Sequence, residues 1–132
     1  MAVRQKKKWA VVNLTMFPYH IMVSVGETDE EFSKRMLRYE SMNHEKIAAL
    51  CHLNKLTNQG TTMMFEDGVA VVRILKLTNK SKQHAILAHE LFHAVTLVLH
   101  RAGVDFQMDV SDEVYAYGIG HITEQVYDKI KM

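Results

Sequence analysis

Apolar residues fall along this chain in runs of different period, separated by turn-forming residues. In WAVVNLTMFPYHIMVSVG, Val11, Val12 and Leu14 form one short run, and Ile21, Val23 and Val25 alternate in a second. Alternation by two marks a half-buried strand, so two strands joined by a turn near Phe17 to Tyr19 are predicted. Thr28 and Glu31 have capping-box spacing, and Phe32, Met36, Tyr39, Ile47, Leu50 and Cys51 follow at helical intervals. They predict one long amphipathic helix from about Asp29 to Lys55, with Lys34, Arg35, Glu40 and Glu45 on its wet face and Asn58-Gln59-Gly60 as its stop. Thr61 to Glu66 and Val69 to Leu77 flank Asp67-Gly68, the signal for a hairpin closed by a two-residue type I′ turn.

From Ser81 to Arg101 the apolar residues Ile86, Leu87, Leu91, Phe92, Val95, Leu97, Val98 and Leu99 cover nearly every side of a helix. That is the pattern of a buried central helix, with Ser81 as N-cap and Gly103 just past its end. Val104 to Val110 is the expected return loop. Ser111 is the expected cap of a last helix whose Val114, Tyr117, Gly118, Ile122 and Val126 pack on the preceding one. Gly118 and Gly120, costly inside a helix, predict close approach of the two helices. Strands, long helix, hairpin and two further helices make the expected class α+β, in a single domain over residues 1–132 whose residues 1–8 are a basic tail.

Composition adds bounds. With 48% hydrophobic and 23% charged residues, the 132-residue chain can bury a sizeable core. Sixteen Lys and Arg against 15 Asp and Glu leave a net charge of +1, which exerts no long-range pull on nucleic acid or an anionic membrane, and neither is expected as a partner. The run Arg4 to Lys8 is read as a solvated tail. The one cysteine, Cys51, cannot form an intramolecular disulfide and fits a small core residue. Asn13, Thr15, Pro18 and His20 interrupt the first apolar stretch and no small-residue cleavage site follows, so no signal peptide is read and a cytoplasmic location is expected.

The chemistry sits in the run from Ser81 to Arg101. His89, Glu90 and His93 stand in the order H-E-x-x-H. Residues four apart share a helix face, so His89 and His93 can aim two imidazoles at one Zn²⁺ at the usual bond length of ~2.0–2.1 Å. Glu90, rotated by about 100°, flanks the ion and can take a proton from a water at the open coordination position. Peptide hydrolysis is the reaction this arrangement suits. For a third ligand the next segment offers Glu113 at the start of a helix, Asp109 or Asp112 beside it, and His121 two turns further on; His100 lies roughly 10 Å along the axis from His93, too far to share the ion. Thr96 and Leu99 stand where a metzincin needs Gly and a third His, which excludes that family.

With Glu113 twenty residues after His93, the stretch Ile86 to Ile122 resembles the thermolysin-like, or gluzincin, metallopeptidases, and the order of elements is similar to small zincins of the SprT-like and ImmA/IrrE-like kinds. The resemblance implies a zincin-like fold, zinc held by His89, His93 and Glu113, and Glu90 as general base. Tyr117 stands where thermolysin-like enzymes carry an Asp that anchors a zinc histidine; here Tyr117 or His121 is a candidate to stabilise the oxyanion. By the same analogy a peptide or protein substrate adds as a strand to Thr61–Glu66 or Val69–Leu77. The alternative is a non-catalytic zincin-like scaffold or binding protein with an assembly partner, which would suit a phage or mobile element, including a place in a virion.

Overall fold

The computed structural model describes residues 7–14, 17, 19–39, 42–57, 60–65, 67–76 and 80–130. Arg4 of the basic run, Thr15 and Pro18 of the first apolar stretch, Glu40 of the long helix, Asn58 and Gln59 of its stop, and Glu66 and Leu77 of the hairpin lie outside them. Strands β1 (Trp9–Asn13), β2 (His20–Val25), β3 (Gly60–Met64) and β4 (Ala70–Ile74) form one sheet in the order β1-β2-β4-β3. β1 is antiparallel to β2, β2 parallel to β4, and β4 antiparallel to β3, which leaves β1 and β3 as the edges. Helices α1 (Asp29–Met36) and α2 (His44–Thr57) make the crossover; α3 (Ser81–Arg101) and α4 (Asp112–Ile130) follow the sheet. The class is α+β with a mixed sheet.

Strand alternation splits the interior into two apolar clusters, because successive side chains point to opposite faces. Ala10, Val12, Ile21, Val23, Ala70, Val72 and Ile74 meet Leu87, Leu91, Val95 and Val98 of α3 and Ile122 and Val126 of α4 on one face. On the other, Met22 and Val71 pack with Phe32, Met36, Ile47 and Leu50. β2 and β4, central and covered on both faces, therefore read as nearly continuous apolar runs. Arg73 is the charged exception on the second face. It is buried, and is matched by Asp29 at 2.7 Å, the Glu27 carbonyl at 3.1 Å and the Phe32 ring at 4.6 Å.

Four sequence expectations are corrected. The single helix over Asp29–Lys55 is two helices: α1 stops after Met36, and Asn43 starts α2 afresh by accepting the Lys46 amide on its side chain at 2.9 Å. The hairpin bend is one residue longer than a type I′ turn. Phe65 N–H donates to the Val69 carbonyl at 2.9 Å, leaving three residues in the bend with Gly68 in the left-handed region at φ 90°. Lys80, with no side-chain cap bond, occupies the N-cap of α3 in place of Ser81. Ser111 precedes α4, but its hydroxyl turns back to the Asp105 carbonyl and accepts the Gln107 amide. The capping box does form: Glu31 N–H donates to Thr28 Oγ1 and Thr28 N–H to Glu31 Oε1, each at 3.1 Å. At the end of α3, Gly103 at φ 85° lets Val104 N–H reach the Leu99 carbonyl, a Schellman closure.

Candidate functional site

α3 lies across the sheet with Leu87, Leu91, Ala94 and Val98 downward, and this fixes where the motif points. Glu90 faces edge strand β3 and is buried, only 8% exposed. The Thr62 hydroxyl donates to Glu90 Oε2 at 2.6 Å and lies 3.0 Å from the Glu90 carbonyl. Thr62 is directed at α3 because it pairs in register with Val72, whose side chain lies in the α3 cluster. Gly60, two residues back on the same face, makes room: a Cβ there would lie 2.9 Å from Glu90 Cγ and from Ile74 Cδ1.

His89 and His93 are exposed, although the apolar pattern of α3 predicts a buried central helix. The apolar residues expected to surround them are not all inside, since Phe92 is itself 48% exposed. The imidazole Nε2 atoms nonetheless converge to 3.1 Å, with the rings edge to face at 4.7 Å, and Glu90 Oε1 lies 3.9 Å from His89 Nε2. A tetrahedral ion bound by two nitrogens at ~2.0–2.1 Å needs them about 3.3–3.4 Å apart. The pair fits a zinc ion to within a few tenths of an ångström. The same 3.1 Å also suits one ring N–H donating to the other ring.

Glu113, expected as a third ligand, does not join them. Among the described residues, no group of three His, Cys, Asp or Glu side chains comes close enough to hold an ion. α3 and α4 are antiparallel neighbours, with Gly118 against Val95 and Tyr127 hydrogen-bonded to His84. At 100° per residue the Val95 flank is about 160° around the helix from His93 and about 120° from His89. Every residue of α4 thus approaches α3 from the side the imidazoles face away from. Glu113, exposed in the first turn of α4, also lies about 10 Å along the axis beyond the level of His93. A twenty-residue gap places a glutamate opposite the histidines only if the chain reverses midway. Here α3 continues to Arg101 and α4 begins at Asp112, so the reversal comes late.

Tyr117 and His121 also stand apart from the motif. They line an apolar groove of about 490 Å³ with Leu14, Phe17, Leu99, Val114 and Gly118, and no residue of the H-E-x-x-H motif borders it. Tyr117 is 76% exposed; its expected place against α3 is taken by Tyr115, which is buried and donates to the Val104 carbonyl. Gly118 does permit a close approach, 3.2 Å from a would-be Cβ to Val95, whereas Gly120 faces open space. His100 pairs with Asp105 at 2.9 Å, and Asp109 sits in the return loop at φ 64°. Cys51 is half-buried beside the Arg73 guanidinium, and burial pushes its thiol pKa up.

Thr62 is the site residue that sequence reasoning missed. TTMMFE is legible as a strand, but only the register with β4 tells which of its residues meets α3. No helix among the described residues is long and apolar enough to cross a membrane. No protein-family model, curated protein or solved structure matches this chain.

Proposed function

We propose that this chain is a zinc-dependent peptide hydrolase in which His89 and His93 hold the ion and Glu90 is the general base. The observation that carries the reading is the convergence of the two Nε2 atoms to 3.1 Å beside a buried carboxylate that Thr62 holds in place. Zinc bound there would act as a Lewis acid and lower the pKa of a water toward neutrality. Glu90 is suited to accept that water's proton: Oε2 is anchored by Thr62, while Oε1 is directed at the imidazole pair. Fixing one oxygen keeps the other oriented, so little reorganisation remains for the proton transfer. β3 is a sheet edge, and an extended peptide pairing with Gly60–Met64 would run alongside Thr62 and so past the base.

A second reading, a zincin-like scaffold that binds metal without cleaving, is favoured by the placement of Glu113. Two imidazoles alone hold an ion less tightly than three protein donors. The tests separate the two. Metal content of the purified protein should be stoichiometric for zinc, fall in His93→Ala, and stay unchanged in Glu113→Ala. Glu90→Gln should keep zinc and lose hydrolysis of an unstructured protein substrate. Zinc retained with no cleavage by the wild-type chain selects the scaffold. A wild-type chain that binds no zinc ends both readings.

A further inference from the structure

We infer that the α3–α4 turn of one molecule docks in a cationic cleft at the opposite end of a second copy, joining the chains head to tail. Of the large apolar side chains exposed among the described residues, all but Leu37 and Phe92 fall between positions 106 and 117: Phe106, Met108, Val110, Val114 and Tyr117. A concentration of aromatic, Met and Val side chains in water marks an interaction surface. Acidic residues are interleaved with them: Asp105, Asp109, Asp112 and Glu113. The turn is also preorganised. The Ser111 hydroxyl ties the Asp105 carbonyl to the Gln107 amide, Tyr115 Oη donates to the Val104 carbonyl at 2.5 Å, and Phe106 stacks edge-on against Tyr115. Little backbone conformational entropy is left for the turn to lose on docking.

The complementary surface lies on the same chain. A cleft of about 540 Å³ is lined by Lys7, Lys8, Lys34, Arg35 and Arg38 around Trp9, with Glu27 and Glu31 as its carboxylates. Glu27 is engaged by Arg35 at 2.5 Å, Glu31 by Lys8 at 3.4 Å, and Lys34 by Glu30 at 3.3 Å, so the positive excess of the cleft rests on Lys7 and Arg38. Leu37, exposed, precedes Arg38 in the same turn.

The two surfaces cannot meet within one molecule. The cleft is at the Trp9–Ser24 end of the sheet, whereas the turn is at the other end, where Arg101 lies over Tyr19 beside His20. A strand of this length separates them by roughly 17–20 Å. Opposed patches of opposite charge on one chain form a heterologous contact, which closes into a ring or continues as a filament. Neither surface includes the metal pair, so the contact stands or falls separately from it.

The experiment is sedimentation velocity on the full chain across the micromolar range, in low and high salt, with Met108→Lys and Arg38→Glu, both at exposed positions. Wild type should self-associate, and salt should weaken the association. Each variant should associate at least about tenfold more weakly, as loss of a central anchor does. Mixed together, the two variants should form a one-to-one pair, because one keeps an intact cleft and the other an intact turn. Carried on one chain, the two changes should abolish association, since neither an intact turn nor an intact cleft is left. A wild type that stays monomeric overturns the inference, including one that binds nucleic acid or a different protein instead. So do variants that assemble like wild type, or a mixture that does not pair.

Discussion

Replacing Thr62 by Val removes one hydroxyl and little volume, and the structure shows what that hydroxyl does. It donates at 2.6 Å to Oε2 of a carboxylate that is only 8% exposed. A hydrogen bond to a charged group contributes about 1.5–3 kcal/mol, and a buried acceptor left unpaired loses most of that. Thr62→Val should therefore destabilise the fold by about 1.5–3 kcal/mol, or roughly 5–10 °C in Tm for a chain of this size. Thr62→Ser, which keeps the hydroxyl, should restore most of it. Chemical denaturation of the metal-free protein is the assay, and a double-mutant cycle with Glu90→Gln isolates the pair. In the Glu90→Gln background the same Val substitution should cost only about 0.5–1.5 kcal/mol, since the partner is then neutral. If cleavage is present, kcat should fall in Thr62→Val with KM little changed. A Thr62→Val protein within about 0.5 kcal/mol of wild type would refute the reasoning, because Glu90 would then not depend on β3 for its position.

Three further outcomes are expected. Gly60→Ala should destabilise by about 1–3 kcal/mol in the same denaturation assay, since its Cβ would meet Glu90 Cγ and Ile74 Cδ1 at 2.9 Å. Asp109→Asn should be nearly neutral, whereas Asp109→Val should cost about 1–2 kcal/mol, because a β-branched residue is strained at φ 64°. Glu31, whose carboxyl pKa is lowered chiefly by the Thr28 backbone N–H, should contribute stability that is present above its unfolded pKa and lost as pH falls through the folded value. Wild type and Glu31→Gln should therefore differ at neutral pH and converge in acid; a constant gap in their pH–stability curves would contradict this.

Much of the secondary structure is legible in the sequence because local physics decides it. Thr28 with Glu31 caps α1 whatever lies around it, alternation over Ile21, Val23 and Val25 makes β2, and Gly103 supplies the positive φ that ends α3. The break after Met36 is hidden because helical spacing of apolar residues continues across it; Asn43, a capping residue in the middle of that run, is the available signal.

The sequence by itself determined that His89 and His93 share a helix face with Glu90 beside them, since a separation of four on a helix allows little else. Only the tertiary structure decided what surrounds that face. Rotation of α3 on the sheet turns Glu90 toward Thr62 and the imidazoles to solvent, and the docking of α4 on the Val95 flank carries Glu113, Tyr117 and His121 away from them. Residue spacing within a helix is a local quantity. The angle at which one helix meets another is set by which apolar stripe each buries, and that depends on the whole core.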